Sequence, residues 1–122
     1  MEIARIRNAT RGGVVAERAG LALGAWDRLV GLLDRAQLAQ DEGLWLEPCD
    51  SVHMLGMRFP IDVAFLDPEG RVLRTIEPLR PWRATWPVRG ARCALELPAG
   101  TLRRTGTQPG DLLLREAPCA SS

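Results

Sequence analysis

Short bursts of alternating apolar and polar residues run along most of this chain, separated by turn-forming residues. Residues 3–8 alternate imperfectly through Ile3, Arg5, Ile6 and Arg7, which predicts an edge strand. Thr10-Arg11-Gly12-Gly13 is a turn signal, and Val14 to Glu17 reads as the partner of a hairpin. Residues 20–37 break this rhythm. Trp26, Leu29, Val30 and Leu33 recur at helical spacing, with Asp27, Arg28, Asp34 and Arg35 on much of the rest. One short helix near residues 24–36 is expected. Gly31 inside it costs about 1 kcal/mol of propensity, so packing has to hold it.

Asp41-Glu42-Gly43 leads into a short strand, Leu44 to Glu47, closed by Pro48. Ile61 to Leu66 is almost continuously apolar, as in a strand buried on both faces. Asp67-Pro68-Glu69-Gly70 then places proline and glycine where a tight turn wants them, and Arg71 to Glu77 returns as the second arm of a hairpin. Pro78 to Val88 reads as an irregular loop, whose Trp82 and Trp86 could stack on a ligand ring or on Arg83, though the plainer expectation is anchors packed on the core. Arg92 to Leu97 alternates again, with Cys93, Leu95 and Leu97 on one face and Ala94 and Glu96 on the other. Thr101 to Thr105 fits a single helical turn. Gln108-Pro109-Gly110-Asp111 is another turn, and Leu112 to Arg115 is a last strand. Many short strands with one helix predict a mainly β fold. A jelly-roll-like β-sandwich or a partly closed barrel is expected, as a single domain over residues 1–122.

Composition narrows the function classes. Sixteen basic residues, all arginine, face fifteen acidic ones, for a net charge of +1. That balance argues against a strong footprint for nucleic acid or anionic lipid. Cys49, Cys93 and Cys119 are widely spaced and form no C-x-x-C pair, so reduced thiols are the expectation. The first residues lack a continuous apolar stretch, and no run approaches the roughly 20 residues of a membrane span. A soluble, cytoplasmic protein is expected, a monomer or a weak homodimer paired through residues 3–8. No phosphate-binding, dinucleotide-binding or zinc-protease motif occurs, so no cofactor is expected.

The candidate chemistry concentrates between Cys49 and Asp67, which hold the only histidine and two of the three methionines. Cys49, His53 and Met57 would share a face if extended, a donor set suited to a soft cation; the plainer reading is that they fill the core. His53 could serve as an acid or base with Asp50, Asp62 or Glu96, which makes His53 and Asp62 the catalytic candidates of a hydrolase-like alternative. Asp62 and Glu96 are the sharper anomalies, because each interrupts an apolar strand. A buried carboxylate is costly unless it is paired or hydrogen-bonded. If both share one face, they line a common polar pocket with His53 and Arg83 between them and with Met57 and Trp82 as its walls. On that reading His53, Met57, Asp62, Trp82, Arg83 and Glu96 bind a small polar or anionic ligand.

Several blocks appear in an order that resembles a known family. They are Leu29 to Leu33, Glu42-Gly43-Leu44, Pro48-Cys49, Ser51 to Met54, Met57 to Asp67, Pro81-Trp82-Arg83, Leu95 to Thr101, and Gly110-Asp111. The chain looks like a member of the domain of unknown function 192 family over nearly its whole length. The resemblance implies a compact, mainly β fold of jelly-roll character with a small helix, and no established activity, substrate or cofactor. Family members often carry threonine and an aromatic after the histidine, where this chain has Met54 and Leu55.

Overall fold

A computed structural model describes residues 2–24, 38–52 and 59–118. Its strands are β1 (Glu2–Asn8), β2 (Gly13–Ala22), β3 (Glu42–Leu46), β4 (Ile61–Leu66), β5 (Val72–Leu79), β6 (Cys93–Pro98) and β7 (Leu113–Glu116). One short helix, α1 (Thr101–Thr105), follows β6. The strands form one sheet in the order β5-β4-β6-β3-β2-β1-β7. All neighbours are antiparallel except β2 and β3.

The sheet curls into a half-barrel and touches itself at one end. Arg71 bridges Leu112, the Val72 N–H donates to the Asp111 carbonyl, and the Leu113 N–H donates to the Gly70 carbonyl at 2.9 Å. Of the two expected architectures, the partly closed barrel is the one observed. β3 bonds to β2 on one side and to β6 on the other, which joins the two hairpins into one ladder.

Two further expectations change. β1 lies between β2 and β7, so it is interior and β7 takes the edge. Residues 20–22 continue β2 instead of opening a helix, because Leu21 and Ala22 pair with Trp45 and Leu46. Residues 25–37, which carry the expected helix, lie outside the described residues.

Side chains of the central strands are buried on both sides. One cluster draws residues from all seven strands, including Ile6, Ala19, Trp45, Leu66, Val72, Leu95 and Leu113, and takes in Leu102 of α1. This is the concave side, since only the inside of a curled sheet unites every strand. A second cluster covers the other side of β3, β4 and β6 with Leu44, Leu46, Val63, Phe65 and Ala94, and adds Val52 and Leu79 from the segments beyond. Every residue of β4 is therefore buried.

Closure depends on Gly70. It sits at φ +93°, in the left-handed region that favours glycine, and ends the Asp67–Gly70 turn with an N–H bond to the Asp67 carbonyl. A Cβ added there would lie 2.4 Å from the Leu113 carbonyl oxygen. Gly70→Ala is expected to lower stability by about 3 kcal/mol, the sum of the left-handed penalty and overpacking at the seam. A shift of the urea midpoint at unchanged slope would read that loss; an unshifted midpoint would show that the seam is not needed.

Candidate functional site

Asp62 stands on β4 and turns to the concave side. It pairs with Leu97 on β6, a residue of the concave cluster, and directly opposed residues of antiparallel strands share a face. Its Oδ2 accepts N–H bonds from Gly100 and Leu102, each at 3.0 Å. The carboxylate thus caps the first turn of α1 from across the fold, where the chain's own cap position is Gly100 and supplies no side chain. Burial pushes the Asp62 carboxyl above its ordinary value, against the pull of the Leu102 and Gly100 N–H groups. Its Oδ1 is buried with no hydrogen-bond partner among the described residues.

Glu96 faces the other way. It opposes Val63 on β4 and Leu44 on β3, both members of the second cluster. The single pocket expected to hold both acids is corrected by this register. Asp62 and Val63 are consecutive, so the partners of Leu97 and Glu96 must point to opposite faces. Glu96 is 3% exposed, and its Oε2 has no partner among the described residues. Burial alone raises its pKa from 4.5 to about 8. Close to neutrality it is largely protonated, the state in which an apolar site tolerates a carboxyl group.

Arg83 and Trp82 do not flank these acids as walls of a core pocket. Both are exposed. Trp82 is 68% and Trp86 is 84% exposed, so neither indole anchors the loop to the core. Pro81 and Trp82 are the central residues of a turn closed by the Arg83 N–H on the Arg80 carbonyl at 3.2 Å. Trp82 takes φ +67° there, a conformation that costs a bulky residue about 1–2 kcal/mol and that glycine would hold freely.

This turn forms one side of a cleft of about 410 Å³ beside β5, lined by Arg74, Ile76, Leu79, Arg80, Arg83 and Trp86, among others. Arg74 opposes Phe65 and Ile76 opposes Val63, so the cleft opens on the same side of the sheet as Glu96. Val63 separates Ile76 from Glu96 in one row across the sheet, which puts the acid two strand spacings, about 10 Å, from the cleft wall. The lining at Thr85 is tied down. The Thr85 N–H donates to the Val52 carbonyl, the Val52 N–H donates to Thr85 Oγ1 at 2.9 Å, and the Val88 N–H donates to the Asp50 carbonyl. Among the described residues, no ion pair involves Arg74, Arg80 or Arg83.

Arg74 and Arg80 are not among the residues that the sequence singles out. For Arg80 a signal is present: residues 78–95 contain four arginines and no acidic residue, whereas Arg74 lies before that run. The near-zero charge of the whole chain averages this local excess away. His53 and Met57 lie outside the described residues, which bound them at Val52 and Phe59. Cys49 is half-buried, and its thiol donates to the Ser51 carbonyl at 3.0 Å. Among the described residues, no group of three or more histidine, cysteine or acidic side chains could hold a metal ion, and no helix is long and apolar enough to cross a membrane.

The titration of Glu96 has a stability consequence with a definite sign. Its native pKa lies above its unfolded value, so the folded state holds more protons and stability falls as pH rises from about 5 to about 8. Glu96→Gln keeps the shape and removes the titration. In thermal unfolding, the melting temperature of the unmodified protein is expected to drop across that window more steeply than that of the variant. Parallel curves would show that Glu96 is ionised and satisfied in the fold.

No curated protein matches the chain. A crystal structure from Sinorhizobium meliloti 1021, provisionally described as a transcription regulator, is 29% identical with a TM-score of 0.78, over 93% of this chain and 92% of the other. A protein of unknown function from Novosphingobium aromaticivorans DSM 12444 shares the fold, with a TM-score of 0.77 at 24% identity, over 92% of this chain and 83% of the other. The family model DUF192, "Uncharacterized ACR", matches residues 6–114, which include every strand from β2 to β6 and the arginine-lined cleft. The chain belongs to the DUF192 family.

Proposed function

We propose that this protein is a small binding module for an anionic ligand, seated in the cleft beside β5. The observation that carries the reading is the convergence of Arg74, Arg80 and Arg83 on one concavity, with no carboxylate paired to them among the described residues. Guanidinium groups arrive from two different segments, a strand and a turn. Their planar forks suit phosphate and carboxylate oxygens, and three of them without a carboxylate partner among the described residues lower the cost of burying an anion. The apolar floor of Ile76 and Leu79 would exclude water beneath it.

Arg83 is the part of the sequence-based site that this reading keeps at its centre. Asp62 belongs to the cap of α1. Glu96 shares the side of the cleft and would supply a neutral, proton-bearing carboxyl to a ligand that reached across Val63. His53 and Met57 remain candidates through their neighbours. His53 follows Val52, which exchanges two hydrogen bonds with the cleft residue Thr85. The hydrolytic alternative, with His53 and a carboxylate as acid and base, falls on a histidine outside the described residues.

Calorimetric titration with inorganic pyrophosphate tests the reading. Saturable binding is expected at low salt, weakened about tenfold or more by Arg83→Ala, the loss typical of one charge-assisted hydrogen bond. Arg103→Ala, an exposed change on α1 away from the cleft, should leave it unchanged. Pyrophosphate binding that is indifferent to Arg83, or no saturation at all, would remove the proposal.

A further inference from the structure

The arginines explain attraction for an anion but leave the aromatic side of the cleft without a role. Trp86 lines the same cavity and is 84% exposed, although an indole gains most by being covered. Its backbone neighbours are fixed. Thr85 is bonded to Val52 in both directions, Pro87 stiffens the chain on the other side, and Val88 is bonded to Asp50. The indole is therefore presented on a braced segment with its surface uncovered, which limits the ordering that binding would require. Arg74, Arg80 and Arg83 line the same cleft. A second exposed indole, Trp82, is held in a left-handed conformation on the very turn that carries Arg80 and Arg83.

We propose that the cleft takes a nucleoside phosphate, with its phosphates on Arg74, Arg80 and Arg83 and its base stacked on the indole of Trp86. This rests on the anion-binding reading above and adds the chemistry of the ligand's other half. A planar base has a π-face that stacks on tryptophan whatever its hydrogen-bonding edge, and phosphate oxygens match the arginine fork. The cavity, about 410 Å³, falls within the range of small-ligand sites. The near-neutral charge of the whole chain does not oppose such a ligand. The arginine excess is local to residues 78–95, and Glu77, the acid next to that run, does not line the cleft.

The same ligand chemistry could come from a free nucleotide or from a strand of nucleic acid, and the experiment separates them. The full chain is titrated calorimetrically, at one ionic strength, with ADP, pyrophosphate, hexathymidylate and a hexaglutamate peptide. ADP should bind about tenfold or more tightly than pyrophosphate, the gain expected from one stacked base. That ratio should fall towards one in Trp86→Ala and recover in part in Trp86→Phe, and exposure of this side chain keeps both variants folded. Hexathymidylate binding more tightly than ADP, with the same dependence on Trp86, would identify a strand as the source; weaker binding would identify the free nucleotide. ADP binding no tighter than pyrophosphate overturns the inference while leaving anion binding intact, as does a ratio indifferent to Trp86 or a hexaglutamate affinity equal to that of ADP. Failure of pyrophosphate itself to bind overturns both.

Discussion

The register between β4 and β6 is the constraint on which the rest of this structure depends. Asp62 opposite Leu97, and Val63 opposite Glu96, set the two most buried strands in phase. Alternation then leaves no choice about where each side chain goes. One set of residues fills the concave side of the half-barrel and the other set builds a second apolar layer. A slip of one residue would move Asp62 off the N–H groups of Gly100 and Leu102. It would also carry Glu96 into the concave core. Both faces being apolar, neither shift is tolerated, so the register is strongly fixed.

The two buried acids answer the same physical problem in different ways. Asp62 is held by backbone donors at the start of α1, and in return it supplies the cap that the glycine at that helix's own terminus lacks. Glu96 has only aliphatic neighbours across the strands and is held neutral. The first arrangement ties a connecting segment to the sheet and is structural. The second confers no evident stability at neutral pH.

At one end the half-barrel is sealed by backbone bonds from residues 70–72 to residues 110–113, with glycine at the point of closest approach. Further along, β5 remains an edge strand. The loop that follows it carries Arg80, Trp82, Arg83 and Trp86 and is bonded back to residues 50–52. The cleft lies beside this edge strand.

By itself the sequence determined the local elements. Turn chemistry fixed the Asp67–Gly70 hairpin, the apolar run fixed β4 as buried on both faces, and alternation sorted Cys93, Leu95 and Leu97 from Ala94 and Glu96. It also identified Asp62 and Glu96 as buried acids, because polar groups among apolar neighbours are conspicuous in a linear pattern. Only the tertiary structure decided that β1 is interior, that the two acids part company, and that Arg74 meets Arg80, Arg83 and Trp86. Those outcomes depend on strand order and pairing phase between segments far apart in the chain. A one-dimensional pattern records which residues share a face within a strand, but not which strand lies beside it or which of its two faces meets the neighbour's.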